Sequence, residues 1–214
     1  ELRHPYVYAK TIDLEKKTAQ IEIEAQAFNH NTSPEKAVIT VNINNGAIKL
    51  NKNVTLAPGK TKISIPLNID QAKFWWPVNM GKPNLYRLDL SVKAANELSD
   101  EVCVNFGIRK VESYVESYAG DSFTSQTDDH SAKDEDKSAK KEESYYRVFK
   151  INGKKVQLIG AGWVDSLLLN DDYARVNAQL KYVKDMGLNT IRLEGFWGTN
   201  QDIYSLCDKY GIMI

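Results

Sequence analysis

Residues 18–28, TAQIEIEAQAF, alternate with a period of two: Ala19, Ile21, Ile23, Ala25 and Ala27 fall on one side, Gln20, Glu22, Glu24 and Gln26 on the other. Successive side chains of a strand point to opposite faces, so the segment reads as a half-buried antiparallel strand. The alternation returns at Ile39-Val41-Ile43, Ile63-Ile65-Leu67, Tyr86-Leu88-Leu90-Val92 and Val102-Val104-Phe106-Ile108. Turn-forming residues separate the runs: Asn44-Asn45-Gly46, Ala57-Pro58-Gly59-Lys60 and Gly81-Lys82-Pro83. Short strands at this spacing, with no helical period between them, predict a β-sandwich over residues 1–112.

From residue 148 the period changes. VFKINGKKVQLIGAG reads as a short hairpin turning at Asn152-Gly153 and running into a strand that ends at Gly160-Ala161-Gly162. Asp171 or Asp172 then caps a helix whose inward face is Val176, Leu180 and Val183, closed by Gly187. LNTIRL is the next strand. A second helix carries Ile203, Leu206, Cys207 and Tyr210 and is closed by Gly211, after which IMI opens a third strand. Helices alternating with short apolar strands predict βαβ units and a parallel sheet over 148–214. A dinucleotide fold would want G-x-G-x-x-G at the first helix, and here Gly160-Ala161-Gly162 is followed by Trp163 and a long loop. The opening of a (β/α)8 barrel, with its chemistry on the loops after the strands, fits better.

Between the two regions, residues 113–147 read as a charged linker or insertion. Its centre, 120–145, has eight acidic and four basic residues and almost no large apolar side chain, too little to offset chain entropy by burial. Over the whole chain 28 basic residues balance 28 acidic ones, which leaves no field to attract nucleic acid or an anionic membrane, and no run approaches a membrane span. Cys103 and Cys207 lie far apart in different modules and read as small hydrophobes, not a disulfide or metal site. The sequons at Asn31 and Asn53 fix no compartment. Glu1 is followed by no secretory signal, so the expectation is a processed chain or a piece of a longer one.

Arg192 falls inside a strand expected to be buried on both faces, where a guanidinium must be paired or face a polar cavity. Glu194 follows at the strand's C-terminal end, where barrels place functional groups. Trp163 and Asp165 are read on the loop after the preceding strand, Phe196 and Trp197 on the loop after Arg192. Aromatic rings beside acids suit a sugar, the rings stacking on its apolar faces and the carboxylates binding hydroxyls or an amine. Each of these residues also has a plain reading: an internal Arg–carboxylate tie, or ordinary aromatic packing. Asp165 and Glu194 as a pair of catalytic carboxylates has no local support.

VTLAPGKTKISIPL, AKFWWPVNMGKPNLYRLDLSV and VNFGIRKVE resemble the immunoglobulin-like domain of glycoside hydrolase family 2, Trp75 to Tyr86 and Phe106-Gly107-Ile108-Arg109 being the most specific stretches. INGKKVQLIGAGW and MGLNTIRLEGFWG…YSLCDKYGIMI are similar to the start of that family's catalytic barrel. The Arg-Leu-Glu-Gly wording points to its exo-β-D-glucosaminidase branch, near the β-mannosidases and endo-β-mannosidases. The resemblance implies a retaining exo-glycosidase that needs no cofactor and no metal, with two catalytic glutamates on the fourth and seventh barrel strands, hence none in this chain. Carried over residue by residue, it implies a substrate-binding wall of Trp163, Asp165, Arg192 and Glu194, with Glu194 opposite a substrate ammonium; Trp197, read on the next loop, is the fifth expected substrate-binding residue. It also implies a carbohydrate substrate, no nucleic-acid partner, a periplasmic or secreted location, and the remainder of the barrel as the partner that completes the fold. On this reading the chain alone is inactive. The alternative is a non-catalytic sandwich module that binds glycan or protein.

Overall fold

The computed structural model describes residues 1–44, 46–118, 144–164, 166, 172–194 and 202–214. The chain forms two compact units, one of residues 1–110 with 158–214 and one of residues 111–157.

The first unit begins with seven strands in two antiparallel sheets: β1 (Leu2–Asp13), β2 (Thr18–Asn29), β3 (Glu35–Ile43), β4 (Ile48–Leu56), β5 (Gly59–Ile69), β6 (Tyr86–Ala94) and β7 (Glu97–Phe106). One sheet has the order β1-β2-β5 and the other β4-β3-β6-β7. The inward residues of both interleave in a single core, with Ile21, Ile23, Ile39, Val41, Ile63, Ile65, Leu88 and Leu90 nearly sealed from solvent. This is a β-sandwich whose alternation was visible in the sequence. Two of its strands were not. β1 carries Pro5 at a sheet edge and breaks register between Arg3 and Tyr6 and again between Ala9 and Thr11, so its pattern is irregular. β4 is also an edge strand, and most of its residues stay exposed.

On the outward face of β2, Glu22 is 3% exposed. Its carboxylate takes a hydrogen bond from the Ser64 hydroxyl and pairs with Lys10 Nζ at 2.5 Å. The Lys10 ammonium, then the Ser64 hydroxyl, hold its pKa below the usual carboxylate range against the opposing effect of burial.

The second unit contains β8 (Val111–Tyr118), β9 (Ser144–Ile151) and β10 (Lys154–Val156), in the order β10-β9-β8. The expected hairpin turns at Asn152-Gly153, whose φ values of 51° and 77° are those of a type I′ turn. The residue range read as a linker is corrected at both flanks: 113–118 and 144–147 pair in an antiparallel ladder. β-branched and aromatic residues there (Val115, Tyr114, Tyr145, Tyr146) favour strand despite the charged sequence between them. Glu116 accepts from Tyr146 at 2.5 Å and pairs with Lys155 at 3.0 Å, which with Tyr114 bring its pKa to about 2. Residues 119–143 lie outside the described residues.

The first unit closes with β11 (Gly160–Val164), α1 (Tyr173–Asp185), β12 (Thr190–Glu194) and α2 (Asp202–Tyr210). β11 and β12 pair in parallel, and Met213 adds a parallel bridge to Thr190. The Asp172 carboxylate caps α1 by accepting from the Arg175 N–H at 2.8 Å. Val176, Leu180 and Val183 meet Ile203, Leu206 and Cys207 of α2 and Ile191 of β12 in a second core. Cys207 packs in that core as the small hydrophobe it was read as, whereas Cys103 lies exposed on β7. No helix among the described residues is long and apolar enough to cross a membrane.

Candidate functional site

The site follows from the register of two short parallel strands. Gly162 stands opposite Arg192, Trp163 opposite Leu193 and Val164 opposite Glu194. With a period of two, Gly160, Gly162, Val164, Thr190, Arg192 and Glu194 share one face, and Ala161, Trp163, Ile191 and Leu193 the other. The second face is the covered one, where Ile191 is buried and Trp163 and Leu193 pack on the core made with α1 and α2.

Two expectations are corrected by this geometry. Arg192 is not buried on both faces: it stands on the open face with its side chain 80% exposed. Trp163 is not on the loop after the strand but within β11, because that strand starts at Gly160 and does not end at Gly162. One residue out of phase with Gly162, Trp163 points to the helices and away from Arg192 and Glu194. Asp165 and Trp197, with Phe196, fall outside the described residues.

Arg192 and Glu194 are brought together. The Arg192 Nε donates to Glu194 Oε1 at 3.0 Å, and Nη2 reaches the same oxygen. This contact raises the Arg192 pKa, so the guanidinium is fixed as a cation. The pair needs the glycine beside it: a Cβ on Gly162 would lie 2.5 Å from Glu194 Oε1. The open face thus presents a cation and a carboxylate side by side at the C-terminal end of β12. It can hold a hydroxyl-rich or amine-bearing ligand by charge-assisted hydrogen bonds.

Asn189 was missed by sequence reasoning. It is 3% exposed at the start of β12. Its side-chain oxygen accepts from the Ile159 N–H at 2.9 Å, its own N–H donates to the Ile159 carbonyl at 2.9 Å, and its carbonyl accepts from the Met213 N–H at 2.8 Å. One residue therefore ties the starts of β11 and β12 to Met213. The signal available was an asparagine inside an otherwise apolar strand sequence, LNTIRL.

A hollow of about 910 Å³ lies elsewhere, on the outer face of the four-stranded sheet between Lys36, Asn42, Asn51, Asp89, Lys93 and Glu101. Its lining contains no aromatic ring on which a sugar could stack. No cluster of three or more metal-ligating side chains occurs among the described residues.

Comparison with known proteins places this geometry in context. Residues 2–109 match the family model "Glycosyl hydrolases family 2". An exo-β-D-glucosaminidase of Streptomyces avermitilis is 30% identical over 92% of this chain and 19% of its own length. Another exo-β-D-glucosaminidase, from Hypocrea virens, is 30% identical over 95% of the chain and 20% of its own. Among solved structures, the β-D-mannosidase of Dictyoglomus thermophilum superposes with a TM-score of 0.75 at 29% identity, over 100% of this chain and 24% of that one. The chain spans about a fifth of the length of the curated relatives it matches.

Proposed function

We propose, from the premise that this chain belongs to glycosyl hydrolases family 2, that it supplies the sandwich and the first strands of a (β/α)8 barrel in a retaining glycosidase. The parallel order β11, β12, Met213, with helices on one face and charged groups on the other, supports the barrel. The substrate class is a non-reducing-end β-linked sugar, glucosamine first and mannose second, in line with the names of the relatives. The domain reading that goes with it is a sandwich over 1–112 and a barrel opening over 148–214.

The observation that carries this reading is the Arg192–Glu194 pair on the open face of β12. Retaining hydrolysis needs two carboxyl groups at a set separation. Glu194 is the one carboxylate on that face among the described residues, and it is engaged by Arg192, which suits it to binding and not to proton transfer. Glu194 accepts from a sugar hydroxyl or ammonium, and Arg192 holds the carboxylate in place. The catalytic glutamates belong to later strands, and the working location is periplasmic or extracellular, where polymeric substrates are met.

The test is turnover of p-nitrophenyl β-D-glucosaminide. Residues 1–214 alone should give none, and a protein extended to the length of the relatives should be active. In that protein Glu194→Ala should raise KM for the glucosaminide about tenfold or more, the effect of losing one hydrogen bond to a charged group. Turnover by residues 1–214, or an unchanged KM in the variant, would overturn the assignment. The alternative, a non-catalytic glycan-binding module, would instead be favoured by an extended protein that binds glucosamine oligomers without cleaving them.

A further inference from the structure

The last four carbonyls of an α-helix have no partner within the helix, and that end carries partial negative charge. α1 and α2 both close on a glycine of positive φ, Gly187 at 77° and Gly211 at 78°. Leu188 N–H returns to Val183 and Ile212 N–H to Cys207, the six-to-one bond of a Schellman ending. Acceptors remain at both ends, and the loop between β5 and β6 of the sandwich meets them. The Asn79 side-chain amide donates to the Gly187 carbonyl at 2.7 Å, the Val78 N–H to the Gly211 carbonyl at 2.8 Å, and the Trp75 indole N–H to the Asp208 carbonyl at 2.7 Å. Arg109 adds the cation that a helix C-terminus favours. Its guanidinium lies 4.4 Å above the Trp75 ring and 2.8 Å from the Asp208 carboxylate.

The fit leaves little room to drift. A Cβ on Gly107 would lie 2.7 Å from the Trp75 Cβ, and one on Gly211 would lie 3.1 Å from the Trp76 carbonyl oxygen. Trp75 itself is 2% exposed.

These contacts lead to the candidate site by short covalent paths. Gly187 is two residues from Asn189, which ties the starts of β11 and β12 to Met213, and β12 follows at once. Gly211 is two residues from Met213, whose carbonyl accepts the Ile191 N–H at 2.9 Å and whose N–H donates to Asn189. A shift of either helix end is therefore a shift of the strand that carries Arg192 and Glu194.

We propose that Trp75, Asn79 and Arg109 are positioning residues for the Arg192–Glu194 pair, acting by capping the C-terminal ends of α1 and α2 from the sandwich. The inference goes beyond the glycosidase reading and does not need it, since its test involves no sugar. The 214-residue chain is labelled with ¹⁵N, and the Arg192 Nε–H resonance is assigned by its loss in Arg192→Lys. Asn79→Ala, which removes the side-chain amide, and Trp75→Phe, which removes the indole N–H together with part of the ring, should move that resonance as the pair with Glu194 loosens. They should also lower amide protection across 188–193 by about tenfold, the order of one lost hydrogen bond, with Ile39, Val41, Leu88 and Leu90 unchanged. Arg109→Met should do the same and Arg109→Lys should restore the native spectrum. An unmoved Arg192 resonance, equal loss of protection in the sandwich core, or an Arg109→Lys spectrum like that of Arg109→Met would each overturn the proposal. Asn79 is exposed, so its variant keeps the test decisive if Trp75→Phe does not fold.

Discussion

Gly160 and Gly162 lie two residues apart on the same face of β11, yet a methyl group added to each should have opposite consequences. At 160 the new Cβ would sit 1.9 Å from the Thr190 carbonyl oxygen and 2.7 Å from its carbon, both backbone atoms of the partner strand. Restoring ordinary contact requires about 1.5 Å of separation between strands normally ~4.8 Å apart, enough to take ladder hydrogen bonds of ~2.9 Å past 4 Å. Overpacking and lost pairing together should cost about 2–3 kcal/mol. For a domain of this size that lowers Tm by about 4–12 °C. At 162 the obstacle is the Glu194 carboxylate, 2.5 Å from the new Cβ and the free end of a side chain that can rotate. The rotation and the ~0.4–1 kcal/mol gained by restricting the unfolded chain nearly cancel, so Gly162→Ala should melt within about 2 °C of the parent. Its effect should appear at the site, as loss of the Arg192–Glu194 hydrogen bond in the ¹⁵N spectrum of the Arg192 side chain. Thermal melts followed by circular dichroism decide the matter. Equal Tm losses for the two variants, or a larger loss for Gly162→Ala, would refute the β11–β12 register from which the argument starts.

Two other outcomes follow from buried groups. The folded-state pKa of Glu22 lies below its ordinary 4.5, so its stabilising share is complete above that value and is lost as the pH falls through the lowered one. Glu22→Gln should therefore reduce urea stability at pH 7 by about 1–3 kcal/mol, with a gap that closes on acidification; a gap that widens toward pH 3 would contradict the sign. Burial pushes the Cys207 thiol up to about 12, while Cys103 is exposed. Titration with a disulfide reagent should label one thiol in the native chain and the second only on unfolding, and two native equivalents would place Cys207 wrongly in the core.

Legibility of the fold tracked how completely each segment is covered on one side. Strands β2, β3, β5 and β6 are buried on one face by the opposing sheet, so their alternation is clean, and α1 shows its inward Val176, Leu180 and Val183 at helical spacing for the same reason. The edge strands β1 and β4 are only partly covered, and their alternation is interrupted, by Pro5 in one and by Lys52 in the other. At the site the residue types pointed to the right chemistry, but a two-residue period demands an exact phase. Placing the end of β11 at Gly162 put Trp163 on a loop beside the acids, while the strand continues to Val164 and turns the indole to the helices. The roles of Asn79, Arg109 and Asn189 depend on partners from 24 to 108 positions away, and spacing along a chain carries no record of such contacts.

The ladder of β8 on β9 has a consequence for how this chain tolerates change in length. Tyr118 and Ser144 are register partners, so the two backbone positions that bound residues 119–143 stand one inter-strand spacing apart, about 5 Å. Whatever joins them has only that short gap to bridge, and seven further register pairs continue from it to Val111 and Ile151. Shortening 119–143 to a tight turn, or replacing it with an epitope or a labelling tag, should leave the hairpin in register, which makes it a natural place to engineer the molecule.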